Sequence, residues 1–138
     1  MSNETILVDT NILIYAWDHK KGNKQRKAIE TLDRFKGQLC LSTQNLSEFT
    51  AVMMRNQCDL NWLHQTVRRF THLMTVLPLT QEEIVMAIQA VQKHQMHYWD
   101  AQIWAVAHTN GVASIFTEDG PIGETIEGVK YINPLAGK

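Results

Sequence analysis

Four carboxylates recur in one kind of context, because each follows a short apolar strand pattern or opens an apolar helix pattern. They are Asp9, Glu48, Asp100 and Asp119. Asp9 comes directly after the apolar run 5–8, and Asp119 comes shortly after the run 112–117. A single acid in such a place usually caps a helix or forms a turn. Repetition of the same context indicates that these acids could act together.

In a parallel sheet, the carboxyl ends of the strands and the starts of the following helices lie at one edge, where ligands bind. The four acids can therefore converge although they are far apart in sequence. Carboxylates held close together repel one another and take up protons unless a cation relieves the repulsion. An all-oxygen site without cysteine favours Mg²⁺ or Mn²⁺ over zinc. Such an ion activates water and holds a phosphodiester for in-line attack.

The pattern of elements that would position these acids is that of an α/β protein with a short, mainly parallel central sheet flanked by helices. Runs 5–8, 39–41 and 112–117 predict buried strands, 75–78 a short extended piece and 129–134 an edge strand. Thr10 or Asn11 is expected to cap the first helix. A later helix is expected to bury a stripe that comprises Ile84, Ala87, Ile88 and Val91.

Composition places the chain among ordinary globular proteins. A length of 138 residues predicts one domain over 1–138, and 44% hydrophobic residues can form its core. Two cysteines without metal-type spacing, no signal-peptide pattern and no membrane-length apolar run indicate a cytoplasmic protein. The net charge of -1 neither indicates nor excludes nucleic-acid binding, because local charged patches matter more than the sum. Five basic residues between positions 20 and 27 form a solvated segment or a phosphate contact.

Other chemistries find less support in the sequence. His94, His97 and Asp100 have an i, i+3, i+6 spacing that could present zinc ligands along one helix. The outer two would then lie about 9 Å apart along the axis, too far for one ion. Glycine-rich phosphate loops and the GxSxG serine motif are absent from the sequence. Cys40 and Cys58 lack an evident base partner and are interpreted as small core residues.

Four segments taken in order resemble the PIN-domain ribonucleases, and most closely the VapC-type toxins of toxin–antitoxin pairs. The segments are 8–15 (VDTNILIY), 41–49 (LSTQNLSEF), 98–101 (YWDA) and 117–119 (TED). The closing segment 128–134 (GVKYINP) is also similar to the last strand of that family. Each segment alone is a weak signal, whereas four in the same order are specific. The resemblance extends over nearly the whole chain.

The resemblance implies a PIN fold and a Mg²⁺- or Mn²⁺-dependent endoribonuclease that cuts a structured cellular RNA. It assigns the main metal ligands to Asp9 and Asp100. It assigns Glu48 and Asp119 to contacts through water, or to a second metal ion and the orientation of the nucleophile. Asn11 and Thr117 correspond to supporting polar groups beside the metal.

The resemblance also implies two protein contacts, namely a small antitoxin whose tail blocks the cleft and a second copy of the chain in a homodimer. The sequence departs from the family pattern after the fourth acid, where Gly120-Pro121 makes a tighter turn than the usual apolar residue. Glu118 could therefore replace or assist Asp119.

Two further hypotheses come from other classes. The first is a catalytically silent PIN-fold module that uses the acidic cleft to capture a basic peptide or RNA. All four acids being present argues against it. The second is a phosphotransfer receiver or phosphatase with Asp9 as nucleophile. Such proteins need a second acid beside the first and a lysine after a late strand, but Thr10 and Asn11 follow Asp9 and 117–119 contains no lysine.

Overall fold

The structure, a computed structural model, describes residues 4–136. Residues 1–3, on which the expectation about a signal peptide partly rests, and residues 137–138 lie outside the described part. The strands are β1 (Ile6–Val8), β2 (Leu39–Ser42), β3 (Thr75–Leu77), β4 (Ser114–Phe116), β5 (Thr125–Ile126) and β6 (Val129–Ile132). The helices are α1 (Thr10–Ala16), α2 (Asn23–Arg34), α3 (Thr43–Arg55), α4 (Leu60–Leu73), α5 (Gln81–His94) and α6 (Tyr98–Thr109), with a 3₁₀ turn at His19–Lys21.

One sheet unites these strands in the order β3-β2-β1-β4-β6-β5. All pairings are parallel except that of β5 with β6. β1 lies between β2 and β4, and its Leu7 is opposite Cys40 on one side and Ile115 on the other. The predicted α/β architecture with a mainly parallel sheet is confirmed. The chain leaves β1, β2 and β4 at the same edge of the sheet, where parallel strands place ligands.

The two faces of the sheet bury different helices, because successive residues of a strand point to opposite sides. Ile6 and Val8 pack with α1 to α4, whereas Leu7 packs with α5 and α6. β1 is buried along its whole length, which explains why its sequence is continuously apolar rather than alternating.

The predicted apolar stripe of α5 is wrong in part. Ala87 is buried, but Ile84 and Ile88 are 37% and 52% exposed. The helix instead turns Ala87 and Ala90 toward α6, and small side chains at a contact allow two helices to approach closely. Helix periodicity identified the element, but the choice of the buried side depended on the partner helix.

The last strand is not an edge strand as predicted. β6 lies between β4 and β5, and the two-residue β5 forms the edge. A tight hairpin joins β5 to β6 through Glu127 and Gly128, both of which have positive φ. Two central residues of positive φ are the geometry of a type I′ turn, which matches the twist of the flanking strands.

The buried Cys40 is a core residue, as the sequence indicated. Burial raises the pKa of its thiol to about 12, so the thiol stays protonated and unreactive at neutral pH. Among residues 4–136, no helix is both long and apolar enough to cross a membrane.

Candidate functional site

Asp9 is the residue around which the site is built. It immediately precedes α1 and caps that helix, so the expectation that Thr10 or Asn11 would be the cap is wrong. One oxygen of Asp9, Oδ1, accepts hydrogen bonds from Thr10 N at 2.8 Å and from Asn45 Nδ2 at 3.2 Å. The other, Oδ2, accepts one from Thr117 Oγ1 at 2.9 Å. The carboxylate therefore caps a helix and is also aimed by two polar side chains.

The environment of Asp9 makes its negative charge unfavourable. Burial raises the pKa of its carboxyl group to about 6, with further contributions from the charges of Asp100 and Glu48. The hydrogen bonds from Thr117 and Thr10 oppose this shift without cancelling it. A carboxyl group with a raised pKa is stabilised when a cation approaches it, because the cation favours the charged form.

Asn45, which sequence reasoning missed as a site residue, holds Asp9 from the neighbouring helix. It is completely buried in the first turn of α3. Its Oδ1 accepts hydrogen bonds from Ser42 N and Oγ, at 3.1 and 2.9 Å. Its Nδ2 donates to Asp9 Oδ1 and, at 3.1 Å, to Thr10 Oγ1. The spacing of Ser42 and Asn45 is that of a capping box, a signal that was available in the sequence.

Glu48 is held in place through both carboxylate oxygens. Its Oε1 accepts a hydrogen bond from Thr10 Oγ1 at 2.7 Å, and its Oε2 accepts one from Gln44 Nε2 at 3.2 Å. Gln44 also donates to the carbonyl oxygen of Trp99 at 3.1 Å and accepts from Gln102 Nε2 at 2.9 Å. This amide network connects α3 to the start of α6, and sequence reasoning did not identify it.

Asp119 lies in the loop after β4 and lines the same groove as Asp9 and Glu48. Its Oδ2 accepts a hydrogen bond from Asn11 Nδ2 at 3.2 Å, and its backbone N–H donates to Thr117 Oγ1 at 3.1 Å. Thr117 is itself buried and bonded to Asp9. The two supporting residues that the resemblance implied, Asn11 and Thr117, thus join Asp9 to Asp119.

Glu118 points away from the other acids. Its carboxylate forms an ion pair with Lys24 Nζ at 2.6 Å and accepts a hydrogen bond from the hydroxyl of Tyr15. The hydrogen bonds of Lys24 and Tyr15 lower the pKa of Glu118, whereas the bond to Glu118 raises that of Tyr15 to about 12. Glu118 is neutralised locally by a lysine, which distinguishes it from Asp119.

Asp100 is the third residue of α6; it is exposed to solvent on one side and lines a cavity together with Asp9 and Asp119. Its partial burial raises the pKa of its carboxyl group and nearby His97 lowers it, while the charges of Asp119 and Glu48 raise it further. Within residues 4–136, no side chain donates a hydrogen bond to this carboxylate. Asp100 is therefore the least constrained of the four acids.

The acids line two depressions that share Asp9 and Asp119. A cavity of about 360 Å³ is lined by Asp9, Asp100 and Asp119, together with polar residues that include His97 and Tyr131. An open groove of about 410 Å³ is lined by Asp9, Glu48 and Asp119. The structure thus brings all four predicted acids to one edge of the sheet.

The chemistry of this donor set fits a hard divalent cation. Asp9, Asp100 and Asp119 supply only oxygen donors, which Mg²⁺ and Mn²⁺ prefer. In the described part of the chain no lysine or arginine forms an ion pair with them. As the side chains stand, no three Asp, Glu, His or Cys residues among 4–136 are grouped as ligands of one ion.

The hypothesis that His94, His97 and Asp100 bind zinc from one helix is not supported, because they do not lie on one helix. α5 ends at His94, and Gln95 adopts a left-handed conformation with φ of 57° before α6 begins. His94 Nε2 lies 2.7 Å from Glu127 Oε2, in contact with the β5–β6 hairpin. His94, His97 and Asp100 therefore do not share one helical face.

Comparison with known proteins identifies a family match and similar folds. A family model described as the PIN domain matches residues 6–125. A toxin–antitoxin complex from Klebsiella pneumoniae contains a similar chain, with a TM-score of 0.71 at 22% identity over 94% of this chain and 98% of that chain. VapC20 of Mycobacterium tuberculosis, a sarcin–ricin-loop-cleaving toxin, has a TM-score of 0.64 at 20% identity over 84% of this chain and 91% of its own.

DNA-bound VapBC from Salmonella typhimurium is also similar, with a TM-score of 0.66 at 17% identity over 94% of this chain and 97% of that chain. No curated protein gives a significant match to the sequence. At these identities the structural similarities concern the fold.

Proposed function

The chain belongs to the PIN-domain family, and on that premise we propose that it is a divalent-metal-dependent endoribonuclease, the toxin of a toxin–antitoxin pair. Its proposed substrate is a structured cellular RNA. The observation that carries the proposal is that four carboxylates lie at one edge of the sheet. Asp9, whose pKa is raised, lines both of the depressions there. We further propose that residues 1–138 form one PIN domain.

The proposed roles follow from how each acid is held. Asp9 and Asp100 are the main metal ligands, and Asp119 and Glu48 act through water or hold a second ion. When bound, the ion would lower the pKa of a water molecule and neutralise the charge of the phosphodiester. Thr117 and Asn45 direct the two oxygens of Asp9, while Asn11 orients Asp119. These buried or half-buried partners preorganise the acids, as supporting groups around metal ligands do.

The same proposal includes a protein partner and a setting. Two of the similar structures are described as toxin–antitoxin or VapBC complexes, which supports a cognate antitoxin for this chain. A basic side chain of that partner would find uncompensated carboxylates in the cleft. We propose that the protein acts in the cytoplasm as a homodimer.

The direct test is cleavage of a panel of structured RNAs by the purified protein. We expect defined cuts with Mg²⁺ or Mn²⁺ and complete loss of cutting in EDTA, with recovery when the metal ion is restored in excess. Electrophoresis of end-labelled RNA measures both. Cutting that persists in EDTA would contradict metal dependence, and a lack of cutting with every RNA and both ions would favour the silent binding module.

A pair of amide substitutions distinguishes the two candidates for the fourth acid. We expect Asp119→Asn to lower the cleavage rate by about 10- to 100-fold, because it removes a charge that supports the metal site. Glu118→Gln should change the rate by less than about threefold, since the carboxylate of Glu118 is bound by Lys24 and Tyr15 rather than by the groups that orient the other acids. Initial rates under identical metal concentrations provide the measurement. The reverse order of effects would assign the fourth role to Glu118.

A further inference from the structure

Trp99 exposes an unusually large apolar surface beside the acids. Its side chain is 64% exposed, whereas Trp104 on the same helix is 3% exposed. Tryptophan is highly buried on average, and Trp99 has the largest exposed fraction among the large hydrophobic side chains of residues 4–136. The indole immediately precedes Asp100 in sequence.

The backbone of Trp99 is held rather than loose. Trp99 is the second residue of α6, and its carbonyl oxygen accepts a hydrogen bond from Gln44 Nε2 at 3.1 Å. Its ring meets that of Tyr98 edge to face, with centroids 5.1 Å apart at an angle of 62°. In an edge-to-face pair a partner ring meets at most one face of the indole, so at least one face stays clear of Tyr98.

The same contacts place the backbone of Trp99 next to the acids. Gln44 binds the carbonyl oxygen of Trp99 and the carboxylate of Glu48 with one amide group. Asp100 is the next residue of α6. Trp99 is therefore adjacent to two of the four acids, and an RNA strand whose phosphate lies at the acids would bring a neighbouring nucleotide to this residue.

We propose that Trp99 is a stacking platform for a nucleobase next to the cleaved phosphodiester, an inference that rests on the proposed ribonuclease function. Clustered carboxylates repel an RNA backbone until an ion is bound, so a contribution that does not depend on phosphate charge helps to hold the RNA at the site. Stacking of a base on an aromatic ring supplies one and tolerates any base, because every base has a flat face. Trp99 thus contributes substrate binding rather than sequence selection.

A partner protein is the competing occupant of the indole, and side-chain shape separates the two. A base requires a flat ring, which Trp99→Phe retains and Trp99→Leu lacks. An apolar protein contact accepts leucine and phenylalanine similarly. Trp17→Ala is the matched control, because Trp17 is also exposed but packs against Trp62 rather than beside the acids.

The experiment measures binding of a fluorescein-labelled single-stranded oligoadenylate by anisotropy in EDTA, where the proposed reaction cannot proceed. We expect Trp99→Ala and Trp99→Leu to bind about tenfold more weakly than the unmodified protein. Trp99→Phe and Trp17→Ala should stay within about twofold. Thermal unfolding checks that each variant is folded, and the Phe and Leu pair decides the outcome if Trp99→Ala does not fold.

Equal binding by the unmodified protein and by Trp99→Leu, or no binding by either, would overturn the proposal. Equal loss in the Leu and Phe variants would also overturn it, since stacking would not explain that pattern. The cleavage assay with Mg²⁺ is scored separately. If the unmodified protein cleaves RNA but the Trp99 substitutions do not weaken binding, only the stacking proposal is rejected. If the Trp99 substitutions weaken binding but the unmodified protein cleaves none of the RNAs with either ion, only the nuclease proposal is rejected.

Discussion

Asp9→Asn and Asp100→Asn should each reduce RNA cleavage by about a thousand-fold or more. Loss of a metal ligand removes several kcal/mol of transition-state stabilisation, and each 1.4 kcal/mol corresponds to about tenfold in rate. Asp9 is the more demanding position, because it is half-buried and its carboxylate is oriented by Thr117 and Asn45. Single-turnover cleavage of the best RNA substrate, in saturating Mg²⁺, measures the effect.

Asp33→Asn is the matched control, because this carboxylate is 81% exposed on α2 and pairs only loosely with Lys36, at 4.0 Å. We expect it to retain full activity. A second readout follows the metal ion directly: Mg²⁺ should raise the unfolding temperature of the unmodified protein, because a ligand that binds the folded state stabilises it. That increase should disappear in Asp9→Asn. Undiminished cleavage by both active-site variants would reject the proposed metal site.

Asn45→Leu should destabilise the fold by about 3 kcal/mol. Leucine has a similar volume, but it cannot donate to Asp9 or Thr10 and cannot accept from Ser42. Each buried polar group left without a partner costs about 1–3 kcal/mol. Equilibrium unfolding in guanidinium chloride measures the difference, and the linear dependence on denaturant extends it to water.

The same substitution at Asn56 provides the comparison. Asn56 is exposed at the end of α3, so Asn56→Leu should change stability by less than about 0.5 kcal/mol. The folded fraction of Asn45→Leu should also cleave RNA about 10- to 100-fold more slowly, because Asp9 loses a partner that orients it. Unchanged stability in Asn45→Leu would mean that the Asn45 hydrogen bonds contribute nothing net to the fold.

Several features of the fold were predictable because local patterns encode them. The continuous apolar run of β1 predicted a strand buried on both faces, and β1 is indeed central. The spacing of Thr80 and Glu83 at the start of α5 is that of a capping box, and the structure contains it. In contrast, periodicity alone could not show that α5 would bury Ala87 and Ala90 and expose Ile88. That choice depends on how closely α6 approaches.

The candidate site divides in a similar way. The context shared by Asp9, Glu48, Asp100 and Asp119 was readable along the chain, because acids at strand ends and helix starts follow the sheet edge. The buried amide of Asn45 was not identified, since an asparagine three residues after a serine is usually a local cap. Its bond to Asp9 spans 36 positions in sequence, and no local pattern reports such a contact.

By itself, the sequence determined the parallel α/β arrangement and the edge at which its acids gather, because apolar runs and helix starts are local properties of the chain. Only the tertiary structure showed how differently the neighbours Glu118 and Asp119 are held. Those two residues share one loop. The carboxylate of Glu118 is bound by Lys24 and Tyr15. Asp119 is instead bound by Asn11 and by Thr117, which also binds Asp9. Direction and charge balance depend on side chains that the fold brings from distant segments, and the spacing of residues along the chain does not contain that information.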